Sequence, residues 1–196
     1  MARLRRADLP IETVELARFL IGKIVTHDAA GGRAAGRIVE TEAYLPDDPA
    51  SHSFRGKTPR NGSMFLERGF AYVYRIYGTS LCLNVSSDEL GVGAAVLVRA
   101  LEPIGGVPLM ARRRPGVAEV ELARGPGKLT VALGIAMSHD GVDLCARGPL
   151  WLGALRAPAP EVGTSVRIGL TRAAAEPLRF YERRSVFVSG PRRLSA

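Results

Sequence analysis

Pairs of β-rich segments joined by short glycine turns constrain the fold of this chain most. Residues 23–28 and 33–44 flank an Ala-Ala-Gly-Gly turn, and residues 70–77 and 80–86 flank Gly78-Thr79. Two such runs separated by a few turn residues predict β-hairpins. A parallel sheet would instead need a long crossover between successive strands. The pattern therefore favours antiparallel pairing.

The remaining segments complete a mixed α/β or α+β pattern. Helices are predicted over residues 11–21 and 107–114, and from Gly125-Pro126 through Leu133. Further strands are predicted over residues 93–101, 164–170 and 179–188, with an irregular Pro/Gly-rich stretch over 141–163. A chain of 196 residues fits one domain. We expect a single domain spanning residues 1–196, built on a largely antiparallel curved sheet with surrounding helices.

The net charge of +8 favours a polyanionic partner. Only three of the 27 basic residues are lysine, and the flat arginine fork matches phosphate. The alternative is an arginine-rich composition spread over a solvated surface. Charge alone leaves DNA, RNA, the ribosome and a membrane surface open. Two cysteines in apolar surroundings and no apolar run of transmembrane length favour a cytoplasmic protein with reduced thiols.

One predicted strand carries acids in a pattern suited to catalysis. Glu40, Glu42 and Tyr44 are two residues apart and share a face. A carboxylate beside a tyrosine can act as a general base, although solvated surface acids give the same spacing. Arg99 interrupts an apolar strand and needs an acidic partner, for which Glu42 and Glu102 are the candidates.

Aromatic residues of the second hairpin are candidates for contact with bases. Tyr77 lies at the tip, where the sheet does not require its burial, and an aromatic there can wedge into a minor groove. Tyr74 on a sheet face can stack on a base, whereas core packing is the preferred interpretation of Tyr72. Asn84 interrupts an apolar strand, so it either faces outward or binds a ligand.

The polar segment 45–62 is long enough to suspect a functional loop. It contains His52 and the string Thr58-Pro-Arg-Asn61, which resembles a helix start able to receive a phosphate. A second helix start carries Lys128. Because Leu129 follows this lysine, the Walker phosphate loop is excluded, but a backbone phosphate would still fit.

Together these strings resemble the alkyladenine DNA glycosylase family, also called 3-methyladenine or N-methylpurine DNA glycosylases. The resemblance covers nearly the whole chain. The matching strings, in family order, are Gly36-Arg-Ile-Val-Glu-Thr-Glu-Ala-Tyr44, His52-Ser53, Thr58-Pro-Arg-Asn61, Met64-Phe65, Tyr72-Val-Tyr74, Ile76-Tyr-Gly78, Asn84-Val-Ser86, Leu97-Val-Arg-Ala-Leu-Glu-Pro103, Gly125-Pro126, Lys128-Leu129 and Pro177-Leu-Arg-Phe-Tyr181.

The resemblance implies a role for each matched position. Glu42 would activate the attacking water and Arg99 would help to hold it. The flipped base would contact Tyr44, His52 and Tyr74, in a pocket also lined by Leu97. Asn84 would discourage normal guanine by crowding its exocyclic amine, and Tyr77 would fill the gap that the base leaves. Contacts with the DNA backbone are expected from Arg60, Asn61 and Lys128.

The resemblance further implies a protruding, DNA-intercalating hairpin and no metal or organic cofactor. The expected activity is excision of alkylated or deaminated purines of the 3-methyladenine, 7-methylguanine and hypoxanthine type from double-stranded DNA, leaving an abasic site. The protein is expected to be a monomer without membrane association, cytoplasmic and of bacterial type, associated with the nucleoid through DNA. Two alternatives remain: a non-catalytic nucleic-acid binder, and an enzyme using Glu42 and Arg99 on a small anionic substrate.

Overall fold

The structure, a computed structural model, describes residues 1–76, 78 and 80–191. Three α-helices lie in this part of the chain: α1 (Thr13–Leu20), α2 (Val107–Arg113) and α3 (Pro126–Leu133). The strands of the same part are β1 (Ala2–Arg3), β2 (Ile24–Ala29), β3 (Gly32–Tyr44), β4 (Ala71–Ile76), β5 (Ser80–Ser86), β6 (Ala95–Gly105), β7 (Leu150–Ala154), β8 (Val162–Ser165) and β9 (Arg179–Glu182).

The strands form one antiparallel sheet in the order β1-β7-β2-β3-β6-β5-β4. The long strand β3 organises it: β2 pairs with the first half of β3, β9 pairs with Glu40–Glu42, and β6 runs along the other edge. Strand β8 extends the sheet beyond β9. The mixed fold with a largely antiparallel sheet is therefore confirmed.

The two faces of the sheet have different neighbours. On one face, apolar side chains of the central strands pack into the main core with Leu16, Ala17 and Leu20 of α1. Thr41 lies on this face, and its hydroxyl donates a hydrogen bond of 2.9 Å to the carbonyl of Ala17. Because side chains alternate along a strand, Glu40 and Glu42 point to the opposite face.

The second hairpin forms as predicted, since β4 pairs with β5 out to Ile76 and Ser80. Gly78 between them has a φ of 77°, in the left-handed region that favours glycine. Tyr77 and Thr79 lie outside the described residues, so protrusion and intercalation stay predictions.

Three sequence predictions need correction. The stretch 141–163 is not wholly irregular, because it contains β7, whose Leu150, Trp151 and Leu152 are buried beside β2. The closing strands are β8, which ends at Ser165, and β9, which ends at Glu182, both earlier than predicted. No helix begins at Thr58: residues 59–61 form a turn, and a short 3₁₀ helix spans Gly62–Phe65.

None of the helices in the described residues is long and apolar enough to cross a membrane.

Candidate active site

A row of four residues crosses adjacent strands on the sheet face opposite α1. Glu42 of β3 is in register with Leu97 of β6, which is in register with Asn84 of β5, which in turn faces Tyr72 of β4. Directly opposed residues of antiparallel strands project to the same side. Antiparallel pairing therefore gathers residues that are far apart in sequence.

The carboxylate of Glu42 is fully buried and fixed by three donors. Its Oε1 accepts a hydrogen bond of 2.8 Å from the backbone N–H of Ile168. Its Oε2 accepts from the Tyr44 hydroxyl at 3.0 Å and from Arg99 Nη1 at 3.2 Å. Since each carboxylate oxygen can accept about two hydrogen bonds, Oε1 retains capacity for one further donor, such as a water molecule.

A β-bulge places Arg99 between the two acids. Thr41 is in register with Val98 and Glu40 with Ala100, so Arg99 is the extra residue on β6. Bulges re-aim side chains and are common beside active sites. The Arg99 guanidinium donates from Nε to Glu40 and from Nη1 to Glu42, both at 3.2 Å.

Glu40 has its own buried partner in Arg179. Arg179 Nε donates to Glu40 Oε1 at 2.6 Å, and the backbone N–H of Ser189 donates to Oε2 at 2.7 Å. The acid–arginine cluster, as we name Glu40, Glu42, Arg99 and Arg179, thus pairs two carboxylates with two guanidinium groups in the protein interior. Burial lowers the pKa of Arg99, but the nearby carboxylates of Glu42 and Glu40 outweigh that effect and raise it.

An aromatic cavity adjoins this cluster. We use that name for the space lined by Tyr44, Ala50, His52, Met64, Tyr72, Tyr74 and Asn84, whose volume is about 20 Å³. Such a volume accommodates about one water molecule, far less than a purine. Tyr44 connects the two regions, because its ring lines the cavity and its hydroxyl donates to Glu42 of the cluster.

The aromatic rings of the cavity pack against one another. The His52 ring lies edge-on to Tyr74 with centroids 4.6 Å apart, and His52 Nδ1 is 2.8 Å from the Tyr72 hydroxyl. Burial raises the pKa of each of the three tyrosine hydroxyls, with the Glu42 charge adding to the effect on Tyr44. Burial of the imidazole, together with the charge of Arg60, lowers the pKa of His52. The cavity is therefore lined by neutral rings at neutral pH.

The structure brings together the predicted water-activating and base-contacting residues Glu42, Arg99, Tyr44, His52, Tyr74 and Asn84. Leu97 is buried between Glu42 and Asn84. Asn84 faces inward, and its side-chain amide donates to the Tyr72 carbonyl at 3.0 Å. Arg99 binds Glu42 as predicted, whereas Glu102 pairs with Arg37. Tyr77 lies outside the described residues.

The three residues predicted to contact the DNA backbone differ in their exposure to solvent. Arg60 is exposed and donates to the Arg75 carbonyl at 3.0 Å, and the exposed Lys128 lies 2.6 Å from Glu121. Asn61 is buried, and its side chain accepts from Thr58 and donates to the carbonyls of His52 and Gly56. Its amide therefore organises the loop that carries His52, and contact with DNA stays a prediction for all three residues.

The sequence patterns missed several members of the site. Met64 lines the cavity, and so does Tyr72, whose predicted core packing is confirmed by its burial against Met64 and Ala95. Arg179 and the backbone of Ile168 reach the acids from the C-terminal part of the chain. The matched string Pro177-Leu-Arg-Phe-Tyr181 contains Arg179, so a charged residue among the apolar residues of that string was the available signal. Within the described residues, no group of three or more His, Cys, Asp or Glu side chains could hold a metal ion.

Residues 8–186 match the sequence pattern of the family described as methylpurine-DNA glycosylase. This match covers most of the chain. The chain belongs to the methylpurine-DNA glycosylase family. As a member of this family it is an enzyme, a DNA glycosylase that hydrolyses N-glycosidic bonds, and its function lies in DNA repair.

Relatives support the assignment over nearly the full length. A protein of Mesorhizobium japonicum is 57% identical over 190 residues, covering 96% of this chain and 91% of the relative. A Paraburkholderia phytofirmans protein is 55% identical over 191 residues, covering 97% and 90%. A protein of Methanoculleus marisnigri is 50% identical over 185 residues, covering 91% of this chain and 94% of the relative. All three carry the provisional name 3-methyladenine DNA glycosylase.

Proposed function

We propose that this methylpurine-DNA glycosylase flips alkylated or deaminated purines out of duplex DNA and hydrolyses their bond to deoxyribose. The damaged purines are of the 3-methyladenine, 7-methylguanine and hypoxanthine type. The observation that carries the proposal is the buried Glu42 carboxylate, fixed by three donors and joined through Tyr44 to the aromatic cavity. The net charge of +8 suits a DNA substrate.

The aromatic cavity would receive the extrahelical base. Flipping a base costs a few kcal/mol, and least for a damaged pair. Stacking on aromatic rings returns about 1–3 kcal/mol per base. Because the cavity is about 20 Å³ in this structure, His52, Tyr74 and Tyr44 must move apart for a purine to enter. The loop that carries His52 is the element best placed to move, since His52 is exposed and Tyr72 and Tyr74 belong to the sheet.

The chemistry would proceed by water attack on the sugar carbon C1′. Glu42 accepts a proton from the water as the new C–O bond forms and the C–N bond breaks, and the purine leaves with the bonding electrons. Arg99 holds the Glu42 carboxylate and supplies a fixed positive charge beside it. The products are a free base and an abasic site.

The decisive experiment compares the wild-type protein with the variant Glu42→Gln. The amide keeps the shape of the side chain but cannot take the proton, so we expect base release to fall by about 10²–10⁴-fold. Released bases are identified by chromatography from duplexes carrying 3-methyladenine, 7-methylguanine or hypoxanthine. Binding to the same duplexes should stay within a few-fold of wild type.

The matched control is Glu15→Gln, an exposed acid of α1 that lies outside the site. It removes the same charge and should release bases at the wild-type rate. Near-normal turnover by a folded Glu42→Gln protein would contradict the role of Glu42. A wild-type protein that binds these duplexes but releases no base would instead support a non-catalytic binder.

A water nucleophile also predicts that the enzyme leaves the DNA strand intact. Glycosylases that cut the strand form a Schiff base through an amine, and this chain has only three lysines. Lys128 is paired with Glu121, and Lys23 lies against the Phe19 ring at 4.3 Å. Borohydride treatment during turnover should therefore trap no covalent adduct. If the wild-type protein gave a trapped adduct and Lys57→Ala did not, the hydrolytic mechanism would be wrong. The assignment as a DNA glycosylase would still hold.

A further inference from the structure

Arg167 is a buried cation that the proposed reaction does not use. It follows β8, and its side chain is fully buried in an ion pair with Asp48, whose side chain is 3% exposed. Its Nη2 donates to the second oxygen of Asp48 at 3.1 Å, and Nη1 donates to the Ala43 carbonyl at 2.9 Å. An arginine held by a two-point carboxylate contact has a fixed orientation.

This fixed guanidinium lies over the ring of Tyr44. Its central carbon is 4.7 Å from the ring centroid, a distance at which a cation interacts with the ring electrons. Burial and the Glu42 charge raise the pKa of the Tyr44 hydroxyl, while the charges of Arg167 and Arg99 act in the opposite direction. Because Arg167 occupies one face of the ring, an extrahelical base can stack only on the other face; the ring also lines the aromatic cavity, which does not include Arg167.

The damaged purines of the proposed substrate class differ in charge. Alkylation at N7 or N3 gives a cationic base, whereas deamination of adenine gives the neutral hypoxanthine. A cationic base gains from a ring face with its full electron density. A guanidinium on the opposite face draws that density away and also repels the cationic base directly.

We propose that Arg167 is a specificity-determining residue that makes the Tyr44 ring a poorer platform for cationic purines than for neutral ones. The inference rests on the proposed function, because it takes Tyr44 as the surface on which the base stacks. Cationic bases are already good leaving groups, since they depart as neutral molecules. Weaker stacking of cationic bases on Tyr44 therefore brings their rate of release closer to that of neutral bases such as hypoxanthine.

The test measures kcat/KM for release of 7-methylguanine and of hypoxanthine from duplexes of one sequence. The readout is the ratio of the two values. In Arg167→Met, which keeps an unbranched apolar side chain but removes the guanidinium and its charge, the ratio of cationic to neutral release should rise by about twofold to thirtyfold. In Arg167→Lys, which keeps the charge, the ratio should remain within about twofold of wild type.

Two further variants complete the design. Arg172→Met removes an exposed arginine of the same segment and should leave the ratio unchanged, which accounts for general attraction to DNA. Asp48→Asn leaves the Arg167 charge uncompensated, so the ratio should fall; this variant carries the test if Arg167→Met does not fold.

Equal losses for both bases in Arg167→Met, or an unchanged ratio in Asp48→Asn, would give Arg167 a purely structural role and overturn the inference. The proposed function would still hold in that case, provided that the wild-type protein releases both bases. A wild-type protein that releases neither base would overturn the proposed function and the inference with it.

Discussion

The acid–arginine cluster and the aromatic cavity are neighbours with opposite physical character. In the cluster, the side chains of Glu40, Glu42 and Arg179 are fully buried, and each charge is paired at 2.6–3.2 Å. In the cavity, His52 is exposed and comes from a loop, and the rings contact one another around a small space. The group that would perform the chemistry is held by charged partners, while the rings that would recognise the base must move apart to admit it.

The largest expected effect is loss of stability when the cluster is broken. Arg179→Met removes the closest cationic partner of Glu40 and leaves a buried carboxylate with weaker compensation. Breaking a buried ion pair by removing one partner costs about 3–5 kcal/mol. Urea unfolding followed by circular dichroism measures this change in the free energy of unfolding.

The matched control for Arg179→Met is Arg183→Met, which removes an arginine from an exposed ion pair. Arg183 lies 3.2 Å from Glu161, but their side chains are 43% and 67% exposed. An exposed pair of this kind contributes about 0–1 kcal/mol. Equal destabilisation by the two variants would remove the distinction between a rigid cluster and an ordinary surface.

A smaller effect, and of a different kind, is expected in the cavity. His52→Ala removes a ring that contacts Tyr74 and Tyr72, so binding of a lesion duplex should weaken by about 1–3 kcal/mol. The free energy of unfolding should change by about 1 kcal/mol or less, since the lost hydrogen bond is partly exposed.

Fluorescence anisotropy with lesion-bearing and undamaged duplexes measures the His52→Ala effect on binding. Phe54→Ala, an exposed residue of the same loop, is the control and should affect neither duplex. If His52→Ala weakened both duplexes equally, the ring would contribute to general DNA binding and not to recognition of the base.

The smallest expected effect is the pH dependence of stability that comes from protonation of His52 in the cavity. Burial and Arg60 lower the pKa of His52, so the folded protein favours the neutral ring. As pH falls below the ordinary histidine value of about 6.5, the unfolded chain takes up the proton first, and stability is lost down to the folded pKa. An NMR titration should place the His52 pKa below its ordinary value, and Arg60→Gln should raise it. A His52 pKa unaffected by Arg60→Gln would show that burial alone lowers it.

The sequence was sufficient to predict those parts of the site that depend on alternation within one strand. Glu42 and Tyr44 share a face because they are two residues apart, and Arg99 required an acid because it interrupts an apolar run. The hairpins were predicted by their glycine turns. Both kinds of signal depend only on residues close together in sequence, so they can be recognised without knowledge of the tertiary fold.

The rest of the site depends on pairings that connect distant parts of the chain. Strand β9 lies beside Glu40 and Glu42 through residues separated by more than 130 positions, and this pairing delivers Arg179. The bulge at Arg99 is a property of the β3–β6 register and has no signature in either strand alone. Strand β7 was missed because its short apolar run lies among glycines and prolines typical of loops.

The small volume of the aromatic cavity has a consequence for the end of the catalytic cycle. In the proposed cycle, a purine still bonded to DNA would be held in place by the duplex, which would help to keep the rings apart. Once the bond is cut, only stacking would hold the free base, and closure of His52 towards Tyr74 would favour its expulsion. The abasic duplex should then be the slower product to dissociate. We therefore expect added free 3-methyladenine to inhibit turnover much less than an equal concentration of abasic duplex.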